Sequence, residues 1–280
     1  MVSPFVTLSV MVAAWVAFYL LARALRLEER GFEVRPLYAM YRSTALNSFI
    51  ERLGGWNPRF WRVFGNVGVA SFFGQVVFMT YILLQNLLRF VFEPAEASPV
   101  MPLIPGVTIS LESLPWFFAA VGVVILFHEL SHGVLAVAEG IPVKNAVLLV
   151  AVVTFGAAIE PDEEAFKASG IMARLRLLAA GSLVNLLMGL ATIGVFYVAG
   201  MSLPEGVGLF LHWLYFTSIN LALVNMLPIY PLDGGQMVRA FLELGPGWGR
   251  GLERVTTYCF LALMASNLVF SLVRFGLIPL

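Results

Sequence analysis

Apolar positions in this chain come in long blocks separated by short polar stretches. Six blocks, at residues 2–22, 63–92, 115–138, 177–199, 206–227 and 255–273, are each close to or above the ~20 residues that a helix needs to cross a bilayer. A seventh, residues 146–159 (AVLLVAVVTFGAAI), is rich in valine, contains Gly156 and is too short for an ordinary span. Two readings of it stay open: a re-entrant or interfacial piece such as a β-hairpin entering from the cytoplasmic side, or an ordinary buried packing segment. A hairpin there must line a protein cavity or pair with something, because open strand edges are not tolerated in lipid. The pattern therefore predicts an all-α polytopic membrane protein of about six transmembrane helices, with a re-entrant β-hairpin as the one departure.

Composition supports this class. Of 280 residues, 60% are hydrophobic and 12% charged, whereas a soluble domain of that size needs far more charged surface. The first block has no basic leader and no small-residue cleavage site, so it reads as a retained helix and not as a removed signal peptide. A net charge of zero gives no global field to recruit nucleic acid. The single cysteine, Cys259, lies in an apolar stretch and reads as a small buried hydrophobe.

Charge then orients the blocks. Fifteen of the 17 Lys and Arg fall in the segment Arg23 to Arg62 or between blocks three and four and blocks five and six; only Arg89 and Arg274 lie on the other side. Basic residues in short loops favour the cytoplasm, which places both termini outside and the first loop inside. Trp56, Trp61, Phe49 and Phe60, interleaved with arginines, suggest that this loop lies along the inner headgroups. On the external side, residues 93–114 carry four prolines and no Lys or Arg, as expected of an irregular segment. Glu160 to Glu164 (EPDEE) reads as a solvated acidic turn opening the next helix.

Candidate chemistry sits in the third block, at His128-Glu129-Leu130-Ser131-His132. Histidines at i and i+4 share one helix face, where both imidazoles can reach one metal ion, and Glu129 is placed to take a proton from a metal-bound water. The alternative is a structural hydrogen-bonded cluster, yet two of the chain's 3 histidines form this motif inside an apolar segment, where ionisable groups are costly. A catalytic zinc needs a third protein ligand and an open position. Position 138, six residues after His132, is alanine, and His212 opens the fifth block on the opposite side of the membrane. Glu139 is a rival on the motif helix itself, at the interface. Asp233, in the segment NMLPIYPLDGG (225–235), is the better candidate: Pro228 and Pro231 break the helix, Gly234 and Gly235 permit a tight turn, and the segment ends at the same leaflet as the motif. A plain Asp-Gly surface turn is the alternative reading of that dipeptide.

HELSH, the distant NMLPIYPLDGG and the intervening AAGSLVNLL together resemble the site-2 protease family of intramembrane zinc metalloproteases, over about residues 115–240. The resemblance implies a Zn2+ cofactor held by His128, His132 and Asp233, with Glu129 as catalytic acid/base. It implies that Asn185 helps to hold the substrate, and that the substrates are transmembrane segments of proteins already cut outside the bilayer. Asn225 is a second candidate for a hydrogen bond to the substrate, and the alternative for each asparagine is to satisfy helix backbone or bridge helices within the membrane. Ser182 stands where family members commonly have proline, and TFGAAIEPDEE lacks a proline often found before its glycine. The chain resembles the compact, PDZ-less archaeal form. It divides into a first helix and interfacial loop (1–62), a second helix and external loop (63–114), the catalytic membrane core (115–240), and a turn with the last helix (241–280). A membrane zinc-binding or transport protein, or an inactive helix-binding scaffold, would use the same residues without hydrolysis. The apolar external halves of the spans argue against a transporter, and the intact Glu129 against a scaffold.

Overall fold

The computed structural model describes residues 4–151, 155–199, 202–243 and 249–276. Its elements, in chain order, are α1 (Pro4–Ala24), β1 (Phe32–Val34), β2 (Tyr38–Ser43), α2 (Asn47–Trp56), α3 (Pro58–Phe92), α4 (Leu114–Ala138), β3 (Val143–Ala151), β4 (Phe155–Pro161), α5 (Glu163–Ala168), α6 (Ile171–Ala199), α7 (Glu205–Asn225), α8 (Asp233–Leu242) and α9 (Gly249–Phe275). Five of these helices, α3, α4, α6, α7 and α9, are long and apolar enough to cross a membrane. The fold is that of an all-α polytopic membrane protein carrying one small sheet. α3 starts earlier than the apolar pattern suggests, because Pro58 suits a first helical position and the Asn57 side chain accepts a hydrogen bond from Phe60 N at 3.1 Å.

The centre of the molecule is α4, α6 and α7, with α3 against α6 and α8 folded beneath. Its packed core joins Val134 and Leu135 of α4 to Leu175, Leu178 and Ala180 of α6, Val69 and Phe72 of α3, and Met237 of α8. On the outer face of α3, Val63, Val67, Phe73, Val77 and Phe78 are exposed, a surface suited to lipid and not to water.

The hairpin reading of residues 146–159 holds, and the sheet is larger than the apolar pattern indicates. Four antiparallel strands run in the order β1-β2-β3-β4. β2 pairs with β3 from Tyr38↔Ala151 to Ser43↔Ala146, so part of the first loop covers the hairpin edge and does not only follow the headgroups. This pairing gives the β3 edge of the hairpin the partner that a strand edge in lipid requires, and leaves β4 as an edge of the sheet. At about 3.3 Å per residue, the 9 residues of β3 extend for about 30 Å, the thickness of the apolar layer. Phe155 reaches Phe118 near the start of α4, with ring centroids 5.7 Å apart. α1 packs on β1 and β2 through Trp15, Ala22, Val34 and Ala39, and Trp15 Nε1 donates to Pro36 O at 2.7 Å.

α2 is amphipathic. Ile50 is fully buried, and Gly54 lies so close to α4 that a Cβ would meet Val134 O at 2.7 Å. Phe49, Trp56 and Phe60 remain exposed on its outer side and on the start of α3, as an interfacial segment requires. Cys259 departs from expectation. It is exposed, because α9 packs through a single face that includes Asn267 and Ser271, and the rest of its apolar surface is left uncovered by the described residues.

That face of α9 is fastened by a buried polar network. Asn86 Nδ2 donates to Asn267 Oδ1 (3.1 Å) and to Ser98 O (3.0 Å), Asn267 Nδ2 donates to Leu83 O (3.1 Å), and Ser271 Oγ accepts from Val100 N (2.8 Å). Interhelical hydrogen bonds of this kind contribute up to about 1.7 kcal/mol each in a bilayer. Asn267→Leu removes two of them and leaves Asn86 short of a partner. It is expected to cost about 1–2 kcal/mol, seen as a lower thermal midpoint in detergent with the helical content unchanged.

Candidate metal centre

Four elements converge on His128 and His132. α4 supplies the histidines and Glu129, α6 lies across both rings, α7 ends at Asn225, and Asp233 opens α8. At 1.5 Å per residue, His128 lies about 15 Å from the Ala138 end of α4, inside a helix long and apolar enough to cross a membrane. Both histidines are buried, at 4% and 9% exposure, and the Asp233 side chain is 15% exposed.

Asp233 is brought here by the chain reversal between α7 and α8. Leu227 and Ile229 are held in an apolar cluster with Leu83 of α3 and Phe260, Leu263 and Met264 of α9. Immediately after Asp233 the two glycines allow α8 to press against this turn. A Cβ on Gly234 would lie 2.2 Å from Met226 O, and one on Gly235 2.4 Å from Ile229 C. Glu139, the rival on the motif helix, lies outside the group of donors that His128, His132 and Asp233 form. It is paired with Arg176 at 2.9 Å and Arg62 at 3.6 Å, at the end of α4. His212 is exposed against Trp213, 13 residues and about 20 Å along α7 from Asn225, and is not brought to the site.

Three donor atoms face one point. His128 Nε2 and His132 Nε2 are 3.1 Å apart, and Asp233 Oδ2 lies 3.3 Å from the first and 3.5 Å from the second. A tetrahedral zinc with bonds of about 2.0–2.1 Å separates its ligand atoms by about 3.3–3.4 Å, so the three distances match three edges of one such tetrahedron. His132 Nδ1–H donates to Leu177 O at 2.8 Å, which turns the Nε2 lone pair towards the other two donors. Asp233 Oδ2 is buried and has no hydrogen-bond partner among the described residues. Lone pairs converging in this way repel unless a cation lies between them, and two imidazoles with one carboxylate form a donor set suited to a catalytic divalent metal. The residues therefore fit the ion.

The remaining expected residues divide. Glu129 is partly exposed on the wall of a cavity of about 910 Å³, and its Oε2 accepts a hydrogen bond from Ile159 N of β4 at 3.0 Å. Asn225 lines the same cavity, with Nδ2 3.2 Å from His128 Nε2. Asn185 is fully buried, with Nδ2 3.0 Å from His128 Nδ1, behind the ring. The cavity continues past Glu160, Glu163, Lys167, Arg174, Arg239 and Glu243 on the charged side of the molecule, a polar route for water to a buried centre. The acidic turn is thus partly a cavity wall: Glu160 belongs to β4, and Asp162 caps α5 by accepting from Ala165 N at 2.7 Å. Lys144, 2.8 Å from Asp162, holds that carboxyl below its usual range.

Gly181 is a site residue that sequence reasoning did not single out. A Cβ there would lie 2.6 Å from both His128 Cε1 and His132 Nε2. Leu177, Gly181 and Asn185 fall at i, i+4 and i+8 on one stripe of α6, and this stripe is what meets the histidine stripe of α4. The small residues of AAGS (179–182) were the available signal.

Comparison with known proteins agrees with the geometry. The model of peptidase family M50 matches residues 116–209 and 191–266, which takes in His128, Glu129, His132, Gly181, Asn185, Asn225 and Asp233. "Putative zinc metalloprotease Rip3" of Mycobacterium tuberculosis is 33% identical over 136 residues, 45% of this chain and 32% of its own length. The like-named sll0528 of Synechocystis is 30% identical over 133 residues, 46% of this chain and 33% of its own, and the uncharacterized MJ0971 of Methanocaldococcus jannaschii is 26% identical over 197 residues, 67% and 50%. The matches thus span a third to a half of these relatives' lengths. With the family match extending over more than half of its 280 residues, this chain belongs to peptidase family M50, the site-2 proteases.

Proposed function

We propose that the protein is an intramembrane zinc metalloprotease that hydrolyses peptide bonds within transmembrane segments of other membrane proteins. The observation that carries this reading is the set of His128, His132 and Asp233 donor distances, which fit one zinc tetrahedron inside an apolar layer. Zinc held there supplies Lewis-acid chemistry, making water acidic and a carbonyl electrophilic. Glu129 takes the proton of the attacking water on its carboxylate and returns it to the leaving amine. Its bond from Ile159 N keeps that carboxylate on the cavity wall. Asn225, on the same wall, donates its amide N–H to the substrate carbonyl as negative charge develops there.

An intact helix hides its carbonyls in i to i−4 hydrogen bonds, so the substrate segment unwinds before attack. Segments containing Pro or Gly, freed by an earlier cut outside the membrane, suit this requirement. The positive-inside distribution supports a polar cavity facing the cytoplasm in the cell membrane, with both termini external and α1 as a sixth span.

The test is metal content measured beside cleavage. Purified wild-type protein is expected to carry about one zinc per chain by the tetrahedral-site model, and Asp233→Ala to lose more affinity than the ~10–100-fold that removing an outer-shell partner costs. Full zinc occupancy in Asp233→Ala, measured against a competing chelator, would contradict the ligand set.

A further inference from the structure

Resting on the metalloprotease reading, we infer that Asn185 is a positioning residue for His128 and not a substrate contact: its amide carbonyl accepts Nδ1–H of His128 and fixes the imidazole with Nε2 facing His132 and Asp233. Four observations support the assignment. Asn185 is fully buried, and it is absent from the residues that line the 910 Å³ cavity, whereas Asn225 lines it. Its amide is 3.0 Å from His128 Nδ1, the nitrogen on the far side of the ring from Asp233. Its Oδ1 is buried and unpartnered among the described residues.

The oxygen and nitrogen of a side-chain amide exchange places by a half-turn, and the hydrogen-bond network decides between them. With Nδ2 towards the ring, His128 must keep its lone pair at Nδ1 and carry its proton on Nε2. That proton would then point at His132 Nε2, 3.1 Å away, and no metal could bind. With Oδ1 towards the ring, Nδ1–H has an acceptor and Nε2 is free to ligate. The same logic already holds for His132, whose Nδ1–H donates to Leu177 O. One stripe of α6 thus gives each imidazole its acceptor: a backbone carbonyl at Leu177, a side-chain carbonyl at Asn185, and between them Gly181, whose lack of a Cβ lets the stripe come close.

The experiment is zinc affinity by chelator competition on detergent-purified full-length protein, with the visible spectrum of the Co2+-substituted protein as a second readout. Asn185→Leu keeps the volume and removes the acceptor, while Asn185→Asp keeps an acceptor oxygen. Asn185→Leu is expected to weaken zinc binding about 10–100-fold and to alter the Co2+ spectrum, with KM for a helical substrate unchanged at saturating zinc. Asn185→Asp is expected to restore wild-type affinity. If Asn185→Leu does not fold, Asn185→Ala takes its place in the same comparison. Wild-type zinc affinity and spectrum in the variant lacking the acceptor, together with a raised KM, would overturn the assignment in favour of substrate binding. An equal loss of affinity in Asn185→Asp would also overturn it. The affinity readout is independent of proteolysis, so a wild-type protein that binds zinc and cuts nothing would count against the proposed function and leave this test intact.

Discussion

Glu129→Gln is expected to reduce peptide hydrolysis by ~10²–10⁴-fold, the range for loss of a general acid/base, while zinc remains bound at the wild-type stoichiometry. Glu129 is next to His128 in sequence but outside the three-donor set, so its replacement leaves every proposed ligand in place. Its carboxylate accepts Ile159 N–H, and a glutamine carbonyl can accept the same hydrogen bond, so the contact with β4 also survives. Basicity is the one property lost, because an amide cannot take a proton from water near neutral pH. Metal analysis and cleavage of a helical substrate are measured on the same preparation. Activity within tenfold of wild type would remove Glu129 from the mechanism, and loss of zinc would show that the residue holds the metal.

Gly181→Ala is the second large effect. An added Cβ would lie 2.6 Å from His128 Cε1 and from His132 Nε2, and 2.7 Å from His128 Nδ1, all under any normal carbon contact. Neither ring can retreat freely. His132 is tied to Leu177 and His128 to Asn185, both on the same helix as the new methyl group. α6 must therefore move off α4 or the rings must leave their shared point, and either displacement separates donor atoms that now sit 3.1–3.5 Å apart. Zinc affinity is expected to fall at least as far as on loss of an outer-shell partner, ~10–100-fold, and proteolysis to fall with it. Gly194→Ala is the control. It lies on the same helix with open space around its Cβ position, and alanine favours helix by about 1 kcal/mol over glycine. Retained zinc affinity in Gly181→Ala would mean that the two helices do not meet as closely as described.

These two residues show how the site was and was not legible in the sequence. Glu129 lies in a five-residue motif whose geometry follows from helical periodicity alone, so the histidine face needs no tertiary knowledge. Asp233 required one further step, since its reach depends on both α4 and α7 ending at the same side of the membrane. Gly181 and Asn185 stand in an equally periodic stripe, but periodicity does not say which stripe of which neighbouring helix it meets. The hold of Ile159 on Glu129 is a backbone N–H, which no side-chain pattern can reveal.

The fold divides on the same physical line. Long apolar helices declare themselves by length and hydropathy. β1 and β2 do not, being 3 and 6 residues long; β2 is made stable by pairing with β3 more than a hundred positions away, and β1 by pairing with β2. α8 was also missed, because it begins Asp-Gly-Gly and glycine disfavours helix. Tertiary packing prevails there: the glycines permit close approach to the preceding turn, and Met237 and Ala240 enter the core.

The most direct test of the account is the position and metal dependence of the cut. The purified protein is reconstituted in bilayers with a single-pass helical substrate carrying a Pro or Gly within its apolar segment, and the products are mapped by mass spectrometry before chelation, after chelation and after zinc is returned. The account predicts cleavage inside the apolar segment that disappears on chelation and returns with zinc. Cleavage confined to the aqueous flanks, or cleavage undiminished after the zinc has been removed, would contradict it.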